Sequence, residues 1–188
     1  FPEAVVMSGN VATPEEYKTL SNAGADLIRV GIGGGSACTT RIQTGHGVPT
    51  LQSVIDIAQL RQAGDAAIIA DGGIRNAGDA AKAFAAGADF CMIGGALAGT
   101  SDAPKIVNNQ GQQIFRGMAS SNFTTNVEGV EHIIDTKGET KAVLRSFKTG
   151  LSSACSYSGV DKLSELAENA EYSVVTTSGV AENHAHHK

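Results

Sequence analysis

The first hundred residues alternate short, unbroken apolar runs with amphipathic stretches. Ala4-Val5-Val6-Met7-Ser8, Leu27-Ile28-Arg29-Val30, Ala67-Ile68-Ile69-Ala70 and Asp89-Phe90-Cys91-Met92-Ile93 read as strands. None alternates apolar with polar positions, so both faces are expected to be covered, as in parallel sheets flanked by helices. Helix signals lie between them. Thr13 is placed as an N-cap, with Pro14 at the first helical position, Glu15-Glu16 in the first turn and a stop at Ala23-Gly24. Leu51 to Ala63 carries Leu51, Val54, Ile55 and Ala58 at helical spacing and stops at Gly64. Asn76 to Ala86 reads the same way, with Gly87 as its cap. The result is four strand–loop–helix units of ~25 residues, the repeat of a (β/α)8 barrel or a doubly wound sheet. Four units cannot close eight strands, so an open sheet and half a barrel both stand at this point.

After Pro104 the pattern changes. Asn108 to Gln113 is a polar turn, Ala119 to Asn126 a loop, and Val143 to Leu151 and Asp161 to Ala170 are expected helices. The tail from Glu182 to Lys188 is polar. Composition narrows the class. With 41% hydrophobic and 18% charged residues the chain is not a disordered acidic segment. No apolar run is long enough for a membrane span. A net charge of -5 supplies no basic stripe for nucleic acid. Cys38, Cys91 and Cys155 are too few and too dispersed for a disulfide framework, so a reducing, cytoplasmic setting is expected. No signal peptide opens the chain, and Phe1-Pro2 in place of Met points to preceding residues.

The unusual figure is 23 glycines in 188 residues. They gather in three loops after successive strands: Gly31-Ile32-Gly33-Gly34-Gly35-Ser36, Asp71-Gly72-Gly73 and Gly94-Gly95. Glycine exposes backbone N–H groups, and loops at one sheet edge converge, so together they suggest a phosphate site. A single such loop would be explained equally well by a tight βα turn; three in succession favour the anion. The first is neither a Walker A loop nor a Rossmann fingerprint. Directly beyond it stands Cys38, outside any apolar run, so burial does not account for it. Held among backbone N–H groups and near Arg41, it would favour the nucleophilic thiolate. Cys91 and Cys155 read as packing residues, and His46 as a solvent-facing loop histidine.

These segments resemble the signatures of the IMP dehydrogenase/GMP reductase family, over essentially the whole chain. The residues are Gly31 to Arg41, Asp71-Gly72-Gly73 and Gly94 to Gly99, with Gly9-Asn10-Val11-Ala12-Thr13, Arg116-Gly117-Met118 and Glu128-Gly129-Val130-Glu131 in support. The resemblance implies a (β/α)8 TIM barrel, this chain supplying strands five to eight plus the C-terminal segment. Residues 1–188 would be the C-terminal half of one catalytic domain, with a flap remnant at 119–127 and a tail at 178–188.

By the same resemblance Cys38 matches the nucleophile at purine C2, and Thr40 the residue that positions water or ammonia. Ser36, Gly73, Gly94 and Gly95 match phosphate contacts, and Asp71 the carboxylate that takes the ribose hydroxyls. Met118, Ala119 and Glu128 match contacts to the base, while Asn10, Arg29 and Gly31 are placed at the dinucleotide. Gly33, Gly35 and Cys38 match donors to K+, with Glu182, Asn183 and His184 completing that site across a homotetramer. NAD, or NADP, is the implied cofactor and IMP or GMP the implied substrate.

Oxidation of IMP to XMP is the favoured reaction, with reductive deamination of GMP as the alternative. Gln43-Thr44-Gly45 and Ser153 to Tyr157 lean towards the reductase; Ala70 to Arg75 and Phe115 to Met118 lean towards the dehydrogenase. Phe115 stands where many dehydrogenases have a phosphate-binding tyrosine. A non-catalytic nucleotide-binding relative and a flavin-dependent barrel are the remaining readings.

Overall fold

The computed structural model describes residues 3–117 and 129–180. Four strands form one parallel sheet in sequence order: β1 (Met7–Val11), β2 (Leu27–Val30), β3 (Ala67–Asp71) and β4 (Phe90–Met92). Leu27 aligns with Met7 on one side and Ala67 on the other, and Ala70 aligns with Val30 and Cys91. Parallel strands need crossovers, supplied by α1 (Pro14–Asn22), by the short α2 (Thr40–Thr44) with α3 (Thr50–Leu60), and by α4 (Ala77–Ala85). Every loop that follows a strand therefore leaves from the same edge of the sheet.

The central strands are buried as their apolar runs require. Ile28, Val30, Val54, Ile57 and Ile68 are wholly covered, each contributing about 1.5–3 kcal/mol of burial. The α1 start is a capping box: Thr13 Oγ1 accepts from Glu16 N at 3.3 Å, and Glu16 Oε2 accepts from Ala12 N and Thr13 N at 2.9 and 3.2 Å. These bonds hold the Glu16 carboxyl below its usual range, with the Ala12 bond the largest cause. Asn76 caps α4 through Asp79 N at 3.0 Å.

Beyond β4 a two-stranded antiparallel sheet, β5 (Ile114–Arg116) with β6 (Glu131–Ile133), lies over the same sheet edge. Then α5 (Thr140–Tyr157) packs on α4, burying Phe147 in the main core. A 3-10 turn (Leu163–Glu165) and α6 (Leu166–Asn169) follow.

Several boundaries differ from the sequence expectation. The first strand starts at Met7 and runs through Gly9-Asn10, where the apolar run had placed it at 4–8. Pairing with β2 decides this, and Val5 and Val6 are left 71% and 49% exposed. The expected 161–170 helix breaks into a 3-10 turn and one α-turn. The 143–151 helix is twice as long as its apolar spacing suggested. Among the described residues both outer strands have an unpaired edge, with Met7 51% and Phe90 52% exposed. Among the described residues no helix is long and apolar enough to cross a membrane.

Candidate active site

The C-terminal edge of the sheet opens into a cavity of about 1240 Å3. Its floor is the three glycine turns, and they touch. A Cβ on Gly72 would lie 2.9 Å from the Gly34 carbonyl carbon, and one on Gly95 2.9 Å from Ser36 Oγ. The turn after β2 therefore nests against the turns after both β3 and β4, an approach that a larger residue would block. The convergence expected from three successive strands is realised, and Ser36, Gly73, Gly94 and Gly95 all line the space. Backbone amides gathered this way suit an anion.

Asn10, Arg29 and Asp71 meet at the ends of the first three strands. Asp71 Oδ2 accepts from Asn10 Nδ2 at 2.7 Å, from Arg29 Nη2 at 2.7 Å and from Arg29 Nε at 3.2 Å. Asn10 Nδ2 also donates to the Gly31 carbonyl at 2.9 Å. The carboxylate is thereby fixed through one oxygen, and Oδ1 has no hydrogen-bond partner among the described residues. A structural role for Asp71 as a helix cap does not hold, because Asn76 caps α4.

Cys38 lines the same cavity, half-buried. Its S–H donates to Thr40 Oγ1 at 3.2 Å, and its N–H closes a turn on the Gly35 carbonyl at 3.1 Å. The β5–β6 pair holds the loop from outside: Cys38 bridges Gly129, and Val130 N donates to Ala37 O at 3.0 Å. Arg41 differs from expectation. Its Nη2 donates to Val48 O at 2.7 Å, and its stem lies against Gly33 and Gly47, so it folds the 45–48 turn back on the glycine loop. His46 is exposed, with Nδ1 2.8 Å from Thr44 O. Cys91 packs against the core, and burial pushes its thiol up to about 11.

A family model described as the IMP dehydrogenase / GMP reductase domain matches residues 1–186. The chain belongs to that family. Inosine-5'-monophosphate dehydrogenases of Chlorobaculum tepidum and Aquifex aeolicus are each 40% identical over 99% of this chain, which spans 42% of their length. A cysteine-to-alanine variant of GMP reductase from Trypanosoma brucei, solved with guanosine 5'-monophosphate, superposes with a TM-score of 0.90 at 37% identity. It covers 100% of this chain, and this chain covers 42% of it. The alignment with the Chlorobaculum relative spans 209 residues, so that relative carries segments inside the matched region that these 188 residues lack. Known members of this dehydrogenase/reductase family are NAD(P)-dependent oxidoreductases.

Of the residues singled out from the sequence, Asn10, Arg29, Gly31, Gly33, Gly35, Ser36, Cys38, Asp71, Gly73, Gly94 and Gly95 share one cavity, and Thr40 holds the thiol. Met118, Ala119, Glu128, Glu182, Asn183 and His184 lie outside the described residues, as do the flap remnant and most of the tail. The structure adds two groups that sequence reasoning did not single out, Lys137 and His132, and joins Arg116 and Glu131, known before only as parts of two signature segments, in an ion pair at 2.6 Å. His132 Nε2 is 3.2 Å from Ser36 O.

The family's implied groups fit what is present. The cavity exceeds the roughly 300–1,000 Å3 of ordinary small-molecule pockets, which leaves room for a second ring beside a nucleotide. Neutral carbonyl oxygens at Gly33, Gly35 and Cys38 are the right donor chemistry for a monovalent cation such as K+.

Proposed function

We propose that this chain forms the thiol-bearing, nucleotide-binding part of a purine nucleotide oxidoreductase, acting as an IMP dehydrogenase. The observation that carries this reading is one cavity holding a half-buried cysteine, an oriented carboxylate and three nested glycine turns. The glycine turns with Ser36 grip the phosphate, and Asp71, braced by Asn10 and Arg29, takes the ribose hydroxyls. That arrangement points purine C2 at Cys38. The thiolate adds to C2, and the hydrogen there leaves with its electron pair. NAD+, when bound, supplies the hydride acceptor. Thr40, already on the sulfur, positions the water that adds to the same carbon; the C–S bond then breaks, giving XMP, the free thiolate and one proton released to solvent. Gly33, Gly35 and Cys38 would hold K+ through their carbonyls, which would keep the loop in shape, and Glu182, Asn183 and His184, outside the described residues, would complete that site in a homotetramer. Met118, Ala119 and Glu128 contact the base.

The unpaired edges of β1 and β4 fit strands five to eight of a (β/α)8 barrel, closed by four further strands. The setting is cytoplasmic. A GMP reductase reading, in which the same thiol displaces ammonia from GMP with NADPH as reductant, draws on the Trypanosoma brucei neighbour.

The test is to incubate full-length protein with IMP and NAD+, and separately with GMP and NADPH, following absorbance of the reduced nicotinamide. Acid-quenched samples are then mass-analysed for nucleotide on cysteine. We expect cofactor reduction and an adduct on Cys38 with IMP, and neither in Cys38→Ala, which still binds IMP. Turnover of GMP alone selects the reductase. Activity in Cys38→Ala overturns the covalent scheme altogether.

A further inference from the structure

The charges lining the cavity are unevenly matched. Arg29 is paired with Asp71 at 2.7 Å, Arg75 with Asp79 at 3.5 Å and Arg116 with Glu131 at 2.6 Å. Lys137 also lines the cavity, and among the described residues no carboxylate pairs with it. Its Nζ instead donates to two carbonyls of the turn after β4, Gly95 O and Ala96 O, each at 3.0 Å. An ammonium has three N–H donors, so one remains.

The position of this lysine is fixed from its own backbone. Lys137 N donates to Gly99 O at 2.6 Å and Ser101 N to Gly138 O at 3.2 Å. Thr140 adds two bonds, its N to Asp102 Oδ2 at 3.2 Å and its Oγ1 to the buried Thr100 Oγ1 at 2.9 Å. The segment entering α5 is thus stitched to the 95–102 turn, and the ammonium is carried to the point where Gly95 meets Ser36. Lys137 is exposed, and its cation keeps an unused donor beside the glycine turns with no carboxylate partner among the described residues, which leaves it available to an anion.

We propose, on the basis of the purine-monophosphate reading, that Lys137 completes the phosphate site: two of its N–H groups set the shape of the Gly95–Ala96 turn, and the third is donated to a ligand phosphate oxygen. Lys137 thereby makes the site select nucleotides over nucleosides. The arginines that line the cavity already face carboxylates, whereas Lys137 faces none among the described residues, so the net attraction for a dianionic phosphate falls chiefly on Lys137.

The test measures binding of IMP, inosine and inorganic phosphate by calorimetry to the full chain and to Lys137→Met, Lys137→Gln and Lys137→Arg, each checked for folding by circular dichroism. The Met and Gln variants are expected to weaken IMP about ten- to hundredfold, the range of a charge-assisted bond. They are expected to leave inosine within about twofold, while Arg restores part of the loss. In turnover the loss falls on KM, with kcat held within about twofold. Equal losses for IMP and inosine would mean that Lys137 only shapes the turn, and would overturn the proposal, as would unchanged IMP binding in Lys137→Met. If the unaltered chain binds no nucleotide, the functional reading fails by itself. Inorganic phosphate then decides the lysine: binding lost in Lys137→Met supports an anion site, and binding kept there refutes it.

Discussion

Gly31 offers the sharpest check on how the strand ends meet. It follows β2 with φ +146°, and a Cβ there would overlap the Asp71 carbonyl oxygen, well inside 3.0 Å. Alanine at this position carries two costs. The backbone region is reserved for glycine, at about 1–3 kcal/mol, and relieving the overlap moves main chain, at about another 1–3 kcal/mol. Together these give roughly 2–6 kcal/mol, or a Tm lower by about 5–20 °C at ~2–4 °C per kcal/mol for a chain of this size. Two glycines serve as controls. Gly24 has φ +94° but open space around its Cβ position, so Gly24→Ala should cost only about 1 kcal/mol. Gly138 has open space and no positive φ, so Gly138→Ala should be neutral or slightly stabilising. Thermal unfolding followed by circular dichroism ranks the three. The substitution also displaces the carbonyl that anchors Asn10 and the strand end that carries Asp71, so IMP binding should weaken about tenfold. If Gly31→Ala melts within a degree or two of Gly24→Ala, the strand ends do not approach as described, and the placement of Asp71 fails with them.

Two further outcomes follow from the same geometry. Phe115 lines the cavity, and its Cζ would be 3.9 Å from a Cβ on Gly94, so a hydroxyl at that carbon stands at the phosphate turn. Phe115→Tyr should tighten IMP roughly two- to tenfold by calorimetry, the worth of one added hydrogen bond; unchanged affinity argues against phosphate at that turn. Cys91, raised to about 11 by burial, should resist iodoacetamide in the folded protein near neutral pH, while Cys38 is labelled and is protected by IMP. Because the unfolded chain loses the Cys91 proton near pH 9 and the folded chain only near 11, stability should fall as pH rises through that window. Flat stability there, in a chain whose other groups are accounted for, would place the thiol in water.

Much of the site was legible because its chemistry is carried by backbone. Gly31 to Ser36, Asp71 to Gly73 and Gly94-Gly95 announce close approach by what they lack, and parallel strands send such turns to one edge whatever their neighbours. Cys38 stood out because no apolar run explained it. What escaped was what depends on partners distant in the chain. The first strand slid three residues because β2, not hydropathy, fixes its register. The β5–β6 pair is built from two three-residue strands, too short to show a period. The charge of Arg41 looked available to the thiol, yet it is directed to Val48 O.

Local pattern alone determined the parallel sheet, the capped helices and the turns that face one edge, because hydrophobic period, capping and glycine act over a few residues. Tertiary structure decided how charge is shared around the cavity: that Asp71 is held by Asn10 and Arg29, and that Lys137 reaches the turn after β4 with no carboxylate partner among the described residues. Those pairings join residues up to 61 positions apart. No local preference encodes them, since which donor finds which acceptor is settled only when the strands and helices have packed.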